Sequence, residues 1–306
     1  MNVYHALFLL AVVPSLAFST TYPLPKNGDD VIGKTYIVRA SSNDTLGSLG
    51  LRHGMSLHEM IEANPRVDSD KNLTDKQEII IPAQFILPKY HDGIVINIAS
   101  LRLFYFPPPG KYVMTFPVGL GREQFRTPIL SSVIVYKQRS PTLWLTKQTI
   151  DDTLRDYHIK LPPTIPPGPE NPLGHFALHM AVKGYLIHGN NDPSSVGKFI
   201  SGGCIRMKNS DVETIYWLVA PLATVHIVHQ PYMAGWSNGN LYLKAQRPKD
   251  NNGIESEQNE ISYKNAIARV VKNRSVKVDW VAAGQTAKQQ TGIPQVIGHS
   301  AISHPE

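Results

Sequence analysis

Cys204 is the one cysteine in a chain of 306 residues. It stands in Ser201-Gly202-Gly203-Cys204-Ile205-Arg206, sixteen residues after His188. A lone thiol has no partner for an intramolecular disulfide, so its presence points to use of the sulfur itself. A free thiol has a pKa of about 8.5 and is only a few per cent thiolate at neutral pH. It therefore needs a base, and an imidazole can take the proton and hold an ion pair. His188 closes the apolar run Tyr185-Leu186-Ile187, a strand end that would hold the ring rigidly, and Gly189 leaves room for a close backbone approach. Gly202 and Gly203 carry no side chain to block a tetrahedral intermediate. The amides of Gly203 and Cys204 are candidate oxyanion donors, each such contact being worth about 3 kcal/mol. Arg206 is always charged and can fork onto a carboxylate, of a substrate or of a structural acid.

These residues need a frame, and the surrounding pattern is β-rich. Ile94, Ile96 and Ile98 alternate with Val95 and Asn97, which predicts a strand with one buried face. Further strands are expected over 101–106, 112–118 (after the Pro107-Pro108-Pro109-Gly110 turn), 132–136, 175–180, 185–188 and 225–228. Residues 161–172 are crowded with proline and read as a stiffened loop. Ser210-x-x-Glu213 reads as a capping box, opening a helix with Ile215, Trp217, Leu218 and Val219 that stops at Pro221. Unpaired amides at that helix start could favour a thiolate at Cys204.

Upstream lies a compact module. Tyr36-Ile37-Val38 predicts a strand, residues 45–54 a helix ended by Gly54, Ser56-x-x-Glu59 a capped second helix, and residues 77–82 a second strand. The order is β-α-α-β. Before it, residues 6–17 form an apolar stretch too short to span a membrane and of signal-peptide length, so residues 1–20 are expected to direct export. After residue 243, a polar linker over 247–260 precedes helices over 261–272 and 279–291, the second stopped by Gly292 and Pro294. This tail would cover the groove or pack on a sheet face.

Composition narrows the classes. The formal charge is +6, but no basic run carries interleaved aromatics, so nucleic acid is not the expected partner. The pairs His175/His179 and His226/His229 lack an internal Glu and fall on predicted strands, so no metal is expected. Histidine before cysteine also argues against a papain-like peptidase.

Two resemblances follow from the motifs. Asp44-Thr45-Leu46, Glu62-Ala63-Asn64-Pro65 and Ile79-Ile80-Ile81-Pro82 resemble the lysin motif (LysM), with Asn43 where a glycine commonly precedes the aspartate. That implies binding of N-acetylglucosamine-containing glycans, including peptidoglycan. His188-Gly189, Ser201 through Met207 and Asp211 resemble the catalytic signature of the bacterial L,D-transpeptidases. So do Pro117 through Gly121, Thr127-Pro128, Asn171-Pro172-Leu173-Gly174 and the terminal strand 236–243. The LysM-first order and the tail ending in Gly292-Ile293-Pro294 are similar to the Gram-negative periplasmic members.

The resemblance implies that Cys204 is acylated by a peptide stem, that His188 is its base, and that the Gly189 carbonyl orients the ring. Gly202 and Gly203 would shape the oxyanion site, and Arg206, Ser201 and Asn190 would contact substrate. No cofactor is implied. Acceptors would be a diaminopimelate of another stem or a lysine of an outer-membrane lipoprotein. Hydrolysis by an L,D-carboxypeptidase or amidase, and non-catalytic peptidoglycan binding, are the alternatives. Gly202, where the family commonly has His or Ser, and Ile129, where a glycine often follows Thr-Pro, depart from the pattern. The expected fold is α+β: a mainly β catalytic domain over 93–230, sandwich or barrel-like, a βααβ LysM module over 35–83, and a helical C-terminal tail within 231–306.

Overall fold

The computed structural model describes residues 21–247, 262–272 and 274–301. The expected signal segment, and all but the first residue of the expected linker, lie outside them.

The catalytic region is built on one nine-stranded sheet. Its spatial order is Thr21–Pro23, Tyr112–Pro117, Arg102–Phe106, Gly93–Asn97, Thr224–Val228, Leu130–Arg139, Phe176–Met180, Leu186–His188 and Ile205–Arg206. The ten-residue strand Leu130–Arg139 is the hinge of this sheet. Its first four residues pair with Thr224–Val228, and from Ile134 onward it pairs with Phe176–Met180. A register shift falls between Ile134 and Tyr136. Such an irregularity bends the strand and raises its twist, so the sheet curls. The helix Asn209–Leu218 fills the concave side, burying Val212, Ile215 and Tyr216 against Ile94, Ile187 and Ile205.

Gly93–Asn97 alternates as expected, Ile94 and Ile96 facing one core and Val95 the other, but neither face is exposed, because Val95 and Asn97 are as buried as Ile94 and Ile96. The opposite sheet face is covered by the N-terminal module. Val95, Phe104, Phe106 and Val113 form one core with Leu46, Leu49, Met60, Ile79, Ile81 and Phe85. The module has the predicted order: Tyr36–Arg39, Leu46–Arg52, Leu57–Ala63 and Glu78–Ile81. Both helices open with complete capping boxes, Thr45/Ser48 and Ser56/Glu59. Asn64 ties the second helix to the sheet: its Nδ2 donates to the Met60 and Ile80 carbonyls, and its Oδ1 accepts from the Ile80 amide.

A buried ion pair joins module and sheet. Arg102 Nε and Nη2 donate to the two Glu59 oxygens at 2.7 and 2.6 Å, Nη1 donates to Thr115 Oγ1 at 3.0 Å, and Nη2 also reaches the Gly54 carbonyl at 2.9 Å. The guanidinium lies 4.4 Å from the Phe85 ring centroid. Burial pushes Glu59 upward, but the Arg102 charge and its hydrogen bonds outweigh it, leaving the carboxyl below its ordinary range.

Three sequence expectations need correction. The helix start is Asn209, capped from Lys208 without a side-chain bond, so Ser210 is not the cap. Asn209 is drawn instead to Asn190, donating to its carbonyl at 2.9 Å and accepting from its amide at 3.2 Å. The strand expected over 236–243 is a hairpin, Tyr232–Ser237 and Asn240–Ala245, turning at Asn238-Gly239. Finally, the extension carries its two helices, Tyr263–Val271 and Trp280–Gln289, but adds a four-stranded sheet completed by Gln295–Ser300 and Val276–Val278. These pack on their own core of Trp236, Leu241, Leu243, Ile267, Ala283 and Ile297. The extension joins the N-terminal module and the segment before it: the Arg247 amide donates to Glu62, and Asp30 and Trp236 exchange backbone and carboxylate bonds. An eleven-residue helix, Lys147–Tyr157, was not marked by the sequence pattern, because none of residues 147–156 is fully buried.

Candidate active site

Two short parallel strands place the chemistry. Ile187 pairs with Ile205 and His188 with Arg206. Both isoleucines are fully buried in the core. Strand side chains alternate, so His188 and Arg206 leave on the opposite face. Cys204 precedes this pairing by one residue, and the Leu186 backbone is close enough to hold the thiol pKa down. His188, Arg206 and Cys204 thus share one face. Cys204 and His188 are one strand across and two residues along, with Cα atoms about 8 Å apart by strand geometry.

The imidazole is oriented by the backbone. His188 Nδ1 lies 2.7 Å from the Gly189 carbonyl, which can only accept, so Nδ1 carries the proton and Nε2 is left with its lone pair. A side chain at Gly189 would collide with Asn209 Oδ1, so the turn that presents this carbonyl needs glycine. Burial lowers the His188 pKa to about 4, against the Gly189 bond, which raises it. Arg206 lowers it further, and the Leu173 carbonyl raises it. Leu173 is held in turn by Asn171, whose Oδ1 accepts from its amide while Nδ2 reaches the carbonyls of Pro141, Ile165 and Pro166. That buried asparagine organises the proline-rich loop.

Burial likewise raises the Cys204 thiol above its usual value, with the Leu186 backbone and Arg206 opposing. The Sγ donates to the Gly184 carbonyl at 3.3 Å. Burial thus works against the charged form of both partners, the thiolate and the imidazolium. This desolvation opposes the expected ion pair and the expected thiolate at the helix start.

The loop before Cys204 is tied from within. Ser201, expected to contact substrate, is 1% exposed, and its hydroxyl accepts from the Gly203 amide at 3.1 Å and donates to the Cys204 carbonyl at 2.6 Å. The Gly203 amide, expected as an oxyanion donor, is therefore already engaged. The Cys204 amide is the one of that pair that Ser201 leaves alone. Asn190 is also buried: its Nδ2 donates to the Met207 carbonyl, and its backbone is clamped by Asn209. This argues against substrate contact through the Asn190 amide group.

Gly203 has φ +109°, and a Cβ there would lie 3.2 Å from the Tyr185 ring. Gly202 is exposed with open space around it. Arg206 is half-buried, and its Nε has no hydrogen-bond partner among the described residues. Thr127, a buried residue whose role the sequence did not reveal, accepts from the Gly121 amide and donates to the Gly203 carbonyl, both at 2.9 Å. The Thr127-Pro128 dipeptide was the available signal. His175 precedes and His179 belongs to the strand Phe176–Met180, where His179 meets Gln138, stacks on Tyr136 and, one strand over, adds to the lowering of the His188 pKa.

Residues 91–227 match the L,D-transpeptidase catalytic domain, and residues 38–82 match the LysM domain. The probable L,D-transpeptidase ErfK/SrfK of Escherichia coli K12 is 33% identical over 258 residues, covering 82% of this chain and 81% of that protein. The probable L,D-transpeptidase YbiS of the same strain is 30% identical over 306 residues, covering 96% and 97%. YcfS, also from that strain and similarly named, is 32% identical over 249 residues, covering 79% and 77%. This chain belongs to the L,D-transpeptidase family.

Proposed function

We propose that Cys204 and His188 are the acyl-transfer pair of a peptidoglycan L,D-transpeptidase. The observation that carries this reading is the orienting bond: His188 Nδ1 lies 2.7 Å from the Gly189 carbonyl, which leaves Nε2 as the basic nitrogen, and His188 pairs with Arg206, two residues after Cys204. His188 Nε2 takes the thiol proton as Sγ attacks the carbonyl that joins the L-centre of diaminopimelate to the terminal D-alanine. The new S–C bond forms, the amide C–N bond breaks, and the imidazolium returns its proton to the leaving D-alanine amine. The thioester then meets an acceptor amine, from diaminopimelate of another stem or a lipoprotein lysine. His188 takes that amine's proton and returns it to the sulfur as the new amide forms.

Because burial disfavours charge on both partners, on this reading proton transfer accompanies attack rather than preceding it. Arg206, with its unpartnered Nε, is the group best suited to a stem carboxylate. The LysM module would hold the glycan, and residues 1–20 would direct export to the periplasm. No helix among the described residues is long and apolar enough to cross a membrane.

The test is mass spectrometry after incubation with imipenem, a carbapenem chosen because the family resemblance implies such acylation. One adduct on Cys204 is expected in the wild type and none in His188→Ala. A folded wild type without an adduct would end the catalytic reading. Incubation with tetrapeptide wall fragments should release D-alanine and form dimers; accumulation of tripeptide alone would make the enzyme a hydrolase.

A further inference from the structure

Three consecutive peptide groups of the nucleophile loop are held by two buried hydroxyls. Ser201 Oγ accepts the Gly203 N–H and donates to the Cys204 carbonyl. Between them lies the peptide joining Gly203 to Cys204, and its carbonyl accepts from Thr127 Oγ1 at 2.9 Å. The direction of this bond is settled by the Gly121 amide, which donates to the same Oγ1, so the hydroxyl proton must go to the Gly203 carbonyl. Pro108-Pro109 is the cis bond among the described residues, so the 203–204 peptide is trans. In a trans peptide the C=O and N–H are coplanar and point in opposite directions. A hydroxyl that fixes the carbonyl therefore aims the amide on the other side.

We infer that Thr127 is a positioning residue for the oxyanion site: through the Gly203 carbonyl it aims the Cys204 N–H at the developing oxyanion. The relay runs from the Gly121 N–H to the Thr127 hydroxyl, the Gly203 carbonyl and the Cys204 N–H. Hydrogen bonds in such a chain polarise one another, so the terminal N–H also becomes a better donor. Thr127 itself is buried and touches no reacting atom. Gly121 is bound to the same arrangement, because a Cβ there would lie 2.9 Å from the Gly203 Cα. This explains the chemistry of Thr-Pro at 127–128, which lies 77 residues from the nucleophile in sequence.

The inference rests on the proposed acyl transfer, and two probes of Cys204 separate their failures. Imipenem acylation passes through an oxyanion. Alkylation by iodoacetamide needs the thiol but no oxyanion donor. Thr127→Val should slow acylation about 10- to 100-fold while leaving alkylation within about twofold. Thr127→Ser, which keeps the hydroxyl, should recover most of the acylation rate. Circular dichroism and thermal unfolding establish that each variant is folded; if Thr127→Val is not, Thr127→Ala is measured in its place.

The wild type offers a check that needs no variant. Its Cys204 amide should exchange with solvent faster than the Arg206 amide, which is bound to the Gly119 carbonyl at 2.8 Å, and should become protected on acylation. A folded Thr127→Val or Thr127→Ala acylated at the wild-type rate overturns the inference. So does a parallel fall in alkylation, which would make the residue merely structural, or a Cys204 amide protected equally before and after. A wild type that is alkylated but never acylated instead sinks the functional reading beneath it.

Discussion

Two buried polar clusters in this molecule behave oppositely. At the junction of module and sheet, each of the three Arg102 nitrogens has a partner, and Glu59 stays ionised. At the candidate site His188 is buried and Cys204 and Arg206 are half-buried, but no counter-charge completes the compensation. His188 falls to about 4, Cys204 rises, and the Arg206 Nε and Asn190 Oδ1 have no partner among the described residues. The same desolvation acts at both places. A counter-charge with complete hydrogen bonding turns it into a rigid joint; its absence leaves groups that are neutral and available. Rigidity at the first cluster serves the second, since the sheet that carries His188 is braced by the module on its far side.

The largest effect should come from unbalancing the joint. Glu59→Leu strands a buried guanidinium and should cost about 3–5 kcal/mol in urea unfolding. Adding Arg102→Met should restore much of that loss. If the single and double variants were equally unstable, the pair would be incidental to the packing.

His188→Gln should lower the acylation rate about 1,000-fold while changing stability at pH 7 by under about 1 kcal/mol. A large stability loss with modest kinetic change would reverse the roles of the two clusters.

The pH dependence sharpens the contrast. The folded His188 pKa is about 4, below its ordinary 6.5, so in that window the unfolded chain binds the extra proton. The histidine's contribution is fully present above pH 6.5 and is lost as the pH falls toward 4, at up to about 1.4 kcal/mol per unit. Unfolding of wild type and His188→Gln at pH 7 and pH 4.5 should show the wild type losing more. The acid limb of kcat/KM should also lie near 4; a limb at 6.5 would mean that the free enzyme's base is not desolvated.

Smallest is the effect of Gly202→His. The site is open, so stability should shift by no more than about 0.5 kcal/mol and acylation should change little. Gly203→Ala, at φ +109° and against Tyr185, should cost more than the histidine does. Equal costs would show that the loop is looser than its hydrogen bonds indicate.

Much of this could be read along the chain. Ser56/Glu59 capping, the βααβ order and the strands flanking His188 are local signals, and local hydrogen bonding and side-chain period express them. The Ser210 capping box failed because Asn209 found a better partner in Asn190, nineteen residues away. The alternation of 93–97 did not announce that a second layer covers the outer face, which no strand records about itself. Ser201 was expected as a substrate contact from the family resemblance, yet its hydroxyl closes on its own loop.

The sequence by itself determined the residue types: one thiol, a histidine at a strand end, glycines where a side chain would not fit, and a family to which they belong. Tertiary structure alone decided their state. Whether Cys204 and His188 form an ion pair depends on how much water surrounds them. Which amide remains open to an oxyanion depends on where Thr127 and Ser201 point. Desolvation and hydrogen-bond geometry are set by neighbours brought from distant parts of the chain, so neither is written in the residues that they govern.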